Sequence, residues 1–209
     1  MTVIEKLKWR YATKKFDSTK KIPSEILNEL LESTELAPSS YGLQPFKILV
    51  IEDQAIREKL KSAAYGQTQI TDASQLIVFA RIKNFGIEQV EEYADNIADT
   101  RNIDPKVIEG FVDVMKGTVN SLSEEQLAVW NSKQCYLALG FLLFAAAQQK
   151  IDACPMEGFD AAKFDEILDL DAQNLSSVVI ATIGYRSEDD DYQNLSKVRK
   201  SKEELFITI

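Results

Sequence analysis

With 45% of its 209 residues apolar and 27% charged, the chain can fill one sizeable core, and its composition is not that of a disordered or fibrous protein. A formal net charge of −9 argues against nucleic acid or an anionic membrane as the main partner, because both are held through a basic face that releases counterions. The chain has no histidine, so the usual zinc, haem and facial-triad iron sites lose their commonest ligand and Ser-His-Asp or Cys-His catalysis is excluded. No metal is expected, and demanding chemistry would fall to a bound organic cofactor.

The N-terminal MTVIEKLKWR lacks the charged-then-apolar layout of a signal peptide. The longest apolar run, Cys135 to Ala147, is shorter than the roughly 18 residues of a membrane span. A cytoplasmic protein is expected. RYATKKFDSTKK, from Arg10 to Lys21, concentrates positive charge in an acidic chain, and that charge needs a local, small partner. Pro23-Ser24 followed by EILNELLESTEL reads as a helix capped by Ser24, with Ile26, Leu27, Leu30 and Leu31 on one face, ending at Ala37-Pro38. PSSYGLQPF, Pro38 to Phe46, is a turn that can bring backbone close to a ligand.

FKILVIED, Phe46 to Asp53, reads as a buried strand and Gln54 to Ala64 as a charged helix. AAYGQTQITDAS follows and offers Gln67 and Gln69, whose amides can both donate and accept at the edge of a heteroaromatic ring. QLIVFARIK, Gln75 to Lys83, is a second strand, and the acidic stretch Glu88 to Asp113 reads as a solvated helical excursion. Asn131 to Lys150 is apolar around nearly its whole circumference, which predicts a helix covered on several sides, a second subunit included. ACPMEGFD, Ala153 to Asp160, reads as a tight segment, either a helix-to-helix turn or backbone aimed at a flat ligand. SSVVIATIGYR, Ser176 to Arg186, is a strand and LFITI, Leu205 to Ile209, a last one. Without regular βαβ repeats the pattern is α+β with a small mixed or antiparallel sheet. Cys135 and Cys154 have no CxxC spacing and read as buried thiols.

Arg10 and Lys14 near one end, and Lys197, Arg199, Lys200 and Lys202 near the other, are donors of the kind a phosphate gathers from separate segments. RYATKKFD, APSSYGLQPFKILVIED, GQTQITDASQLIVFA, KQCYLALGFLLFAAAQQKIDACPMEGFD and the tail VVIATIGYRSEDDDYQNLSKVRKSKEE, taken in order, resemble the FMN-dependent nitroreductase family of NAD(P)H oxidoreductases over essentially the whole chain. The resemblance implies one domain over residues 1–209, an α+β sandwich whose central sheet is flanked by helices. It also implies a homodimer with exchanged C-terminal arms and FMN at the subunit interface.

Carried over by position, Arg10, Lys197 and Arg199 would hold the FMN phosphate, with Tyr11 and Ala12 beside them. Lys14, Gln67 and Gln69 would read the pyrimidine edge. Pro155, Met156, Glu157 and Gly158 would back one face of the ring with an amide near N5, while Pro38, Ser39, Ser40 and Gly42 would arrive from the other subunit. Lys14 and Glu157 are then the catalytic positions. Residues of about 85–120 would form a lid, and Tyr41, Phe111 and Met115 would face the acceptor.

Reduction by a hydride places negative charge at N1 and O2 of a flavin, which a fixed cation such as Lys14 stabilises. One open ring face admitting nicotinamide first and acceptor second implies ping-pong transfer of two electrons from NADH or NADPH to nitroaromatics, quinones or similar flat acceptors. A flavin reductase that releases reduced flavin uses the same site. A non-catalytic flavin-binding or interaction protein is the reading from another class. Ala12 stands where many relatives carry serine, and Gln69 where some carry lysine; both bear on rate and acceptor preference.

Overall fold

The runs read as strands from Phe46, Gln75 and Ser176 all pair in one sheet, in a computed structural model that describes all 209 residues. Strands β1 (Phe46–Ile51), β2 (Gln75–Ile82), β3 (Asp152–Met156) and β4 (Leu175–Gly184) lie in the order β1-β2-β4-β3. Every neighbouring pair is antiparallel. Side chains alternate between faces along a strand, so β2 sends Ile77 and Phe79 to one side and Leu76 and Val78 to the other.

Ile77 and Phe79 meet Val179, Ala181 and Ile183 of β4 beneath helices α2 (Ser24–Glu35) and α7 (Glu124–Gln148). Leu76, Val78 and Ile180 meet Leu60 of α3 (Gln54–Ala63), Ile70 of α4 (Gln69–Asp72) and Phe164 of α8 (Ala161–Ile167). The result is an α+β sandwich, helices on both faces of an antiparallel sheet. Each large side chain buried between these layers contributes about 1.5–3 kcal/mol. Both thiols are buried as expected, and burial pushes Cys135 up to about 12.

Several details differ from the sequence reading. Ser24 does not cap α2; it is the first helical residue, and Pro23 occupies the cap position without a side-chain bond. The long helix starts at Glu124, where Ser123 and Gln126 form a reciprocal capping box, and not at Asn131. Within the chain Cys135, Ala138, Leu139 and Leu142 enter the core while Leu137, Phe141 and Phe144 stay exposed, which leaves that side of the helix open to the second subunit the sequence reading included. Asp152–Met156, read as a turn, is the edge strand β3, where Pro155 is tolerated because an edge does not use every N–H.

The expected last strand at Leu205–Ile209 is absent. Ser201 and Glu204 form a capping box that starts a single helical turn, α9 (Lys202–Leu205), and the residues beyond have no neighbouring strand to pair with. The acidic excursion is helical as expected. Helices α5 (Ile87–Arg101) and α6 (Glu109–Ser121) pack over Leu43, Phe85 and Val90, with Met115 and Val119 inserted between them. No helix is long and apolar enough to cross a membrane.

Candidate active site

Helix α1 (Val3–Trp9) begins in a capping box of Thr2 and Glu5 and ends at Arg10, whose extended backbone starts a straight segment beside the free edge of β3. Ala12 bridges Ala153 in parallel, and the Thr13 amide donates to the Ala153 carbonyl at 3.5 Å. Farther on, the Asp17 amide donates to the Tyr185 carbonyl (2.8 Å) and the Ser187 amide to the Lys15 carbonyl (2.9 Å). Residues 10–17 are therefore stitched between β3 and the chain leaving β4.

This route carries the N-terminal cations to the C-terminal ones. Lys8, Arg10, Lys14, Lys197 and Arg199 line one cleft of about 490 Å³, together with Trp9, Tyr11, Ala12, Pro155 and Tyr192, and no acidic residue lines it. The Lys197 ammonium donates to the Arg10 carbonyl. Burial and then the neighbouring Arg199 hold Arg10 below its ordinary value, and burial, Arg10 and Arg199 do the same to Lys197. Arg10 Nε is buried without a hydrogen-bond partner. Gathered like charges and an orphaned guanidinium donor are unfavourable unless an anion completes them.

One nearby cation is committed elsewhere. Arg186 lies over the rings of Trp9 (4.3 Å) and Tyr11 (4.6 Å) and donates through Nε to Asp152 at 2.8 Å. It supports the cleft wall from behind.

The other sequence-named residues fall into two groups. Gln67 donates through Nε2 to the Gly158 carbonyl (2.7 Å) and the Ala64 carbonyl (3.0 Å), so its amide group is spent on backbone and only its carbonyl remains to read a ring edge. Gln69 is buried in the first turn of α4, and the Met156 side chain packs into the core beneath the sheet. Met156 can thus offer only backbone to a ligand. Glu157 is exposed and accepts from the Tyr136 hydroxyl of α7 at 2.5 Å.

Pro38, Ser39, Ser40 and Gly42 do not line the basic cleft of their own chain. Ser39 Oγ accepts from the Gln44 amide (3.0 Å), and the Ser40 amide donates to Gln134 of α7 (2.9 Å). Gly42 has φ +84°, which favours glycine, and a Cβ there would lie 2.2 Å from the Tyr93 hydroxyl, so any larger residue would also have to displace that ring. Tyr41, at φ 58°, shares a hydrogen bond with the Thr118 hydroxyl (3.0 Å) and meets the Phe111 ring edge-on at 6.0 Å. Met115 does not face an acceptor: it is fully buried under the α5–α6 pair, because its place on α6 puts it on the inward face.

Two residues escaped sequence reading. Arg57 is 1% exposed and donates to the carbonyls of Ile70 (2.6 Å), Ala73 (2.6 Å) and Ser74 (3.0 Å), which fixes the segment after Gln69. Nothing in its charged helix distinguishes it from a surface arginine. Asp190 is also 1% exposed and accepts from the Tyr11 hydroxyl at 2.8 Å. It sits in the run SEDDD, where no pattern marks which acid turns inward.

Residues 7–185 match the Nitroreductase family. A Staphylococcus epidermidis protein named "Putative NAD(P)H nitroreductase SERP2086" is 34% identical over 98% of this chain and 96% of its own. A Staphylococcus haemolyticus protein of the same description, SH0546, is 35% identical over the same shares. Among solved structures, the nitroreductase-like ydfN of Bacillus subtilis superposes with a TM-score of 0.88 at 25% identity, covering 99% of this chain and 98% of that one. A protein from Exiguobacterium sibiricum, crystallised with FMN, gives a TM-score of 0.84 at 20% identity over 100% and 98% of the two chains. The antiparallel sandwich is the fold these solved structures share. The chain belongs to the Nitroreductase family.

Proposed function

We propose that this chain is an FMN-dependent oxidoreductase that passes two electrons from NADH or NADPH to nitroaromatics, quinones or similar flat acceptors, one substrate after the other at one open face. The observation that carries this reading is the cleft where Arg10, Lys14, Lys197 and Arg199 converge with no acid among them and with the Arg10 Nε unsatisfied. That donor set fits a phosphate monoester beside a flat ring. FMN supplies the hydride-accepting and hydride-returning chemistry when bound.

The chain's own residues then bind, orient and stabilise. Arg10, Lys197 and Arg199 hold the phosphate as charge-assisted donors, with Tyr11 and Ala12 alongside. Lys14 would supply a cation at the pyrimidine edge, where it would stabilise negative charge, and is the residue assigned to the catalytic stabilisation. The Gln67 carbonyl and the Gln69 amide read the same edge. Pro155 and the backbone of Met156, Glu157 and Gly158 would back one face of the ring and offer it an amide donor. Water can protonate the reduced acceptor, so the absence of histidine is no obstacle.

Pro38, Ser39, Ser40 and Gly42 lie away from the cleft of their own chain, which is consistent with service to a second copy. The exposed Leu137, Phe141 and Phe144 of α7 and the exposed apolar residues after α9 suit burial in a homodimer with exchanged arms. In this reading residues 1–209 form one cytoplasmic domain, and the α5–α6 pair over residues 85–120 is its lid, with Tyr41 and Phe111 toward the acceptor.

Purified protein should be yellow, and anaerobic NADH or NADPH should bleach its flavin band, with menadione restoring it. A colourless preparation that binds no added FMN would refute the reading.

A further inference from the structure

An acid is the last residue expected beside an anion site, yet Asp190 is 1% exposed at the back of the basic cleft. Both of its oxygens accept hydrogen bonds. Oδ2 accepts from the Tyr11 hydroxyl (2.8 Å), the Lys14 amide (2.7 Å) and the Lys15 amide (3.1 Å), and Oδ1 accepts from the Tyr192 amide (3.2 Å). The first three donors belong to the segment that carries Arg10 and Lys14. The fourth opens the 3-10 turn Asp191–Asn194, of which Asp190 is the N-cap, and that turn aims the chain at Lys197 and Arg199. The Tyr192 ring it orders lies 5.9 Å from the Lys14 ammonium.

We propose that Asp190 is a positioning residue: one buried carboxylate locks the N-terminal cationic segment and the C-terminal arm into a single frame, and the cleft binds anions only while that lock holds. Asp190 does not line the cleft, and its four donors favour the ionised carboxylate and hold it turned toward the backbone behind the cleft wall. Tyr11 is the only side chain among those donors, so the lock is made mostly of backbone and does not depend on the identity of Lys14 or Lys15. The consequence for the cofactor rests on the reading of the cleft as an FMN site; the consequence for the arm does not.

The test uses the full-length chain, first without FMN. Asp190→Asn keeps the size of the side chain but turns one oxygen into a donor that faces amides. Trypsin should then cut after Lys197, Arg199 and Lys200 about tenfold faster than in wild type, followed by mass spectrometry, while cuts in the sheet and α7 stay unchanged. In parallel, FMN affinity should fall about tenfold with a smaller change for riboflavin, which lacks the phosphate. Folded Asp190→Asn with wild-type cleavage of the arm overturns the proposal whatever happens to FMN. Arm release in a protein whose wild type binds no FMN supports the lock and sinks the cofactor reading instead. If Asp190→Asn does not fold, Tyr11→Phe, which removes one donor of four, should speed arm cleavage a few-fold, and an unchanged rate there overturns the proposal.

Discussion

The Tyr136 hydroxyl donates to the Glu157 carboxylate at 2.5 Å, which ties the middle of α7 to the residue that follows β3. Burial, then the bond to Glu157, pushes the phenol up to about 12 from an ordinary 10.0. The protonated phenol is the donor, so its contribution is complete below pH 10 and is lost as pH rises toward about 12. A spectrophotometric titration should therefore show two late tyrosines in wild type, Tyr136 and Tyr11, whose phenol is raised by burial and by its bond to Asp190, and only Tyr11 in Tyr136→Phe. Because the pair is part-exposed, the substitution should cost only about 1 kcal/mol, a fall of roughly 2–4 °C in Tm.

Arg57 satisfies three buried carbonyls with one guanidinium. Arg57→Met leaves all three without a donor and should destabilise the chain by at least about 3 kcal/mol in urea denaturation. Arg57→Lys keeps the charge but not the planar fork and should recover only part of that loss. Equal stability of wild type and Arg57→Met would show that the segment after Gln69 holds itself.

At Gly42 two effects can be separated. Gly42→Ala meets both a positive φ and the Tyr93 hydroxyl, and should cost roughly 1–3 kcal/mol. Adding Tyr93→Ala removes the collision and leaves the backbone strain. In a double-mutant cycle the second change should recover part of the first; strict additivity would mean that Tyr93 swings aside freely.

Arg199→Ala should weaken FMN binding by about 1.5–3 kcal/mol, tenfold or more in Kd, by removing a charge-assisted donor to phosphate. Riboflavin affinity should hardly move. Isothermal titration of both ligands at two salt concentrations checks this, because loss of a phosphate contact also flattens the salt dependence. Unchanged FMN affinity would place the phosphate away from the arm.

Much of this architecture was legible because burial imposes a pattern on sequence. β2 and β4 are covered on both faces and so read as unbroken apolar runs, QLIVFA and VVIATI. β3 was not legible: a proline and a methionine at a sheet edge look like a turn until β4 is there to pair with them. The tail misled for the opposite reason, since LFITI has strand composition but no neighbour in the chain. That Arg10, Lys14, Lys197 and Arg199 could meet was legible because a cluster of cations near each end of an acidic chain stands out, and the structure brings them to one cleft. Met115 was misplaced because helical phase, which turns it inward, depends on where α6 begins. Arg57 and Asp190 stayed hidden because burial of a charge is decided by tertiary contacts alone.

The Lys197 contact to the Arg10 carbonyl spans 187 positions of sequence. Closing so long a loop wins nothing until the sheet has already brought its ends together. On the ribosome, residues 10–17 therefore wait while β1, β2, β3 and β4 are made and docked, and the basic cleft is among the last features to mature. A chain truncated before Lys197 would keep the residues of all four strands and lose two of the cations that line the cleft, Lys197 and Arg199.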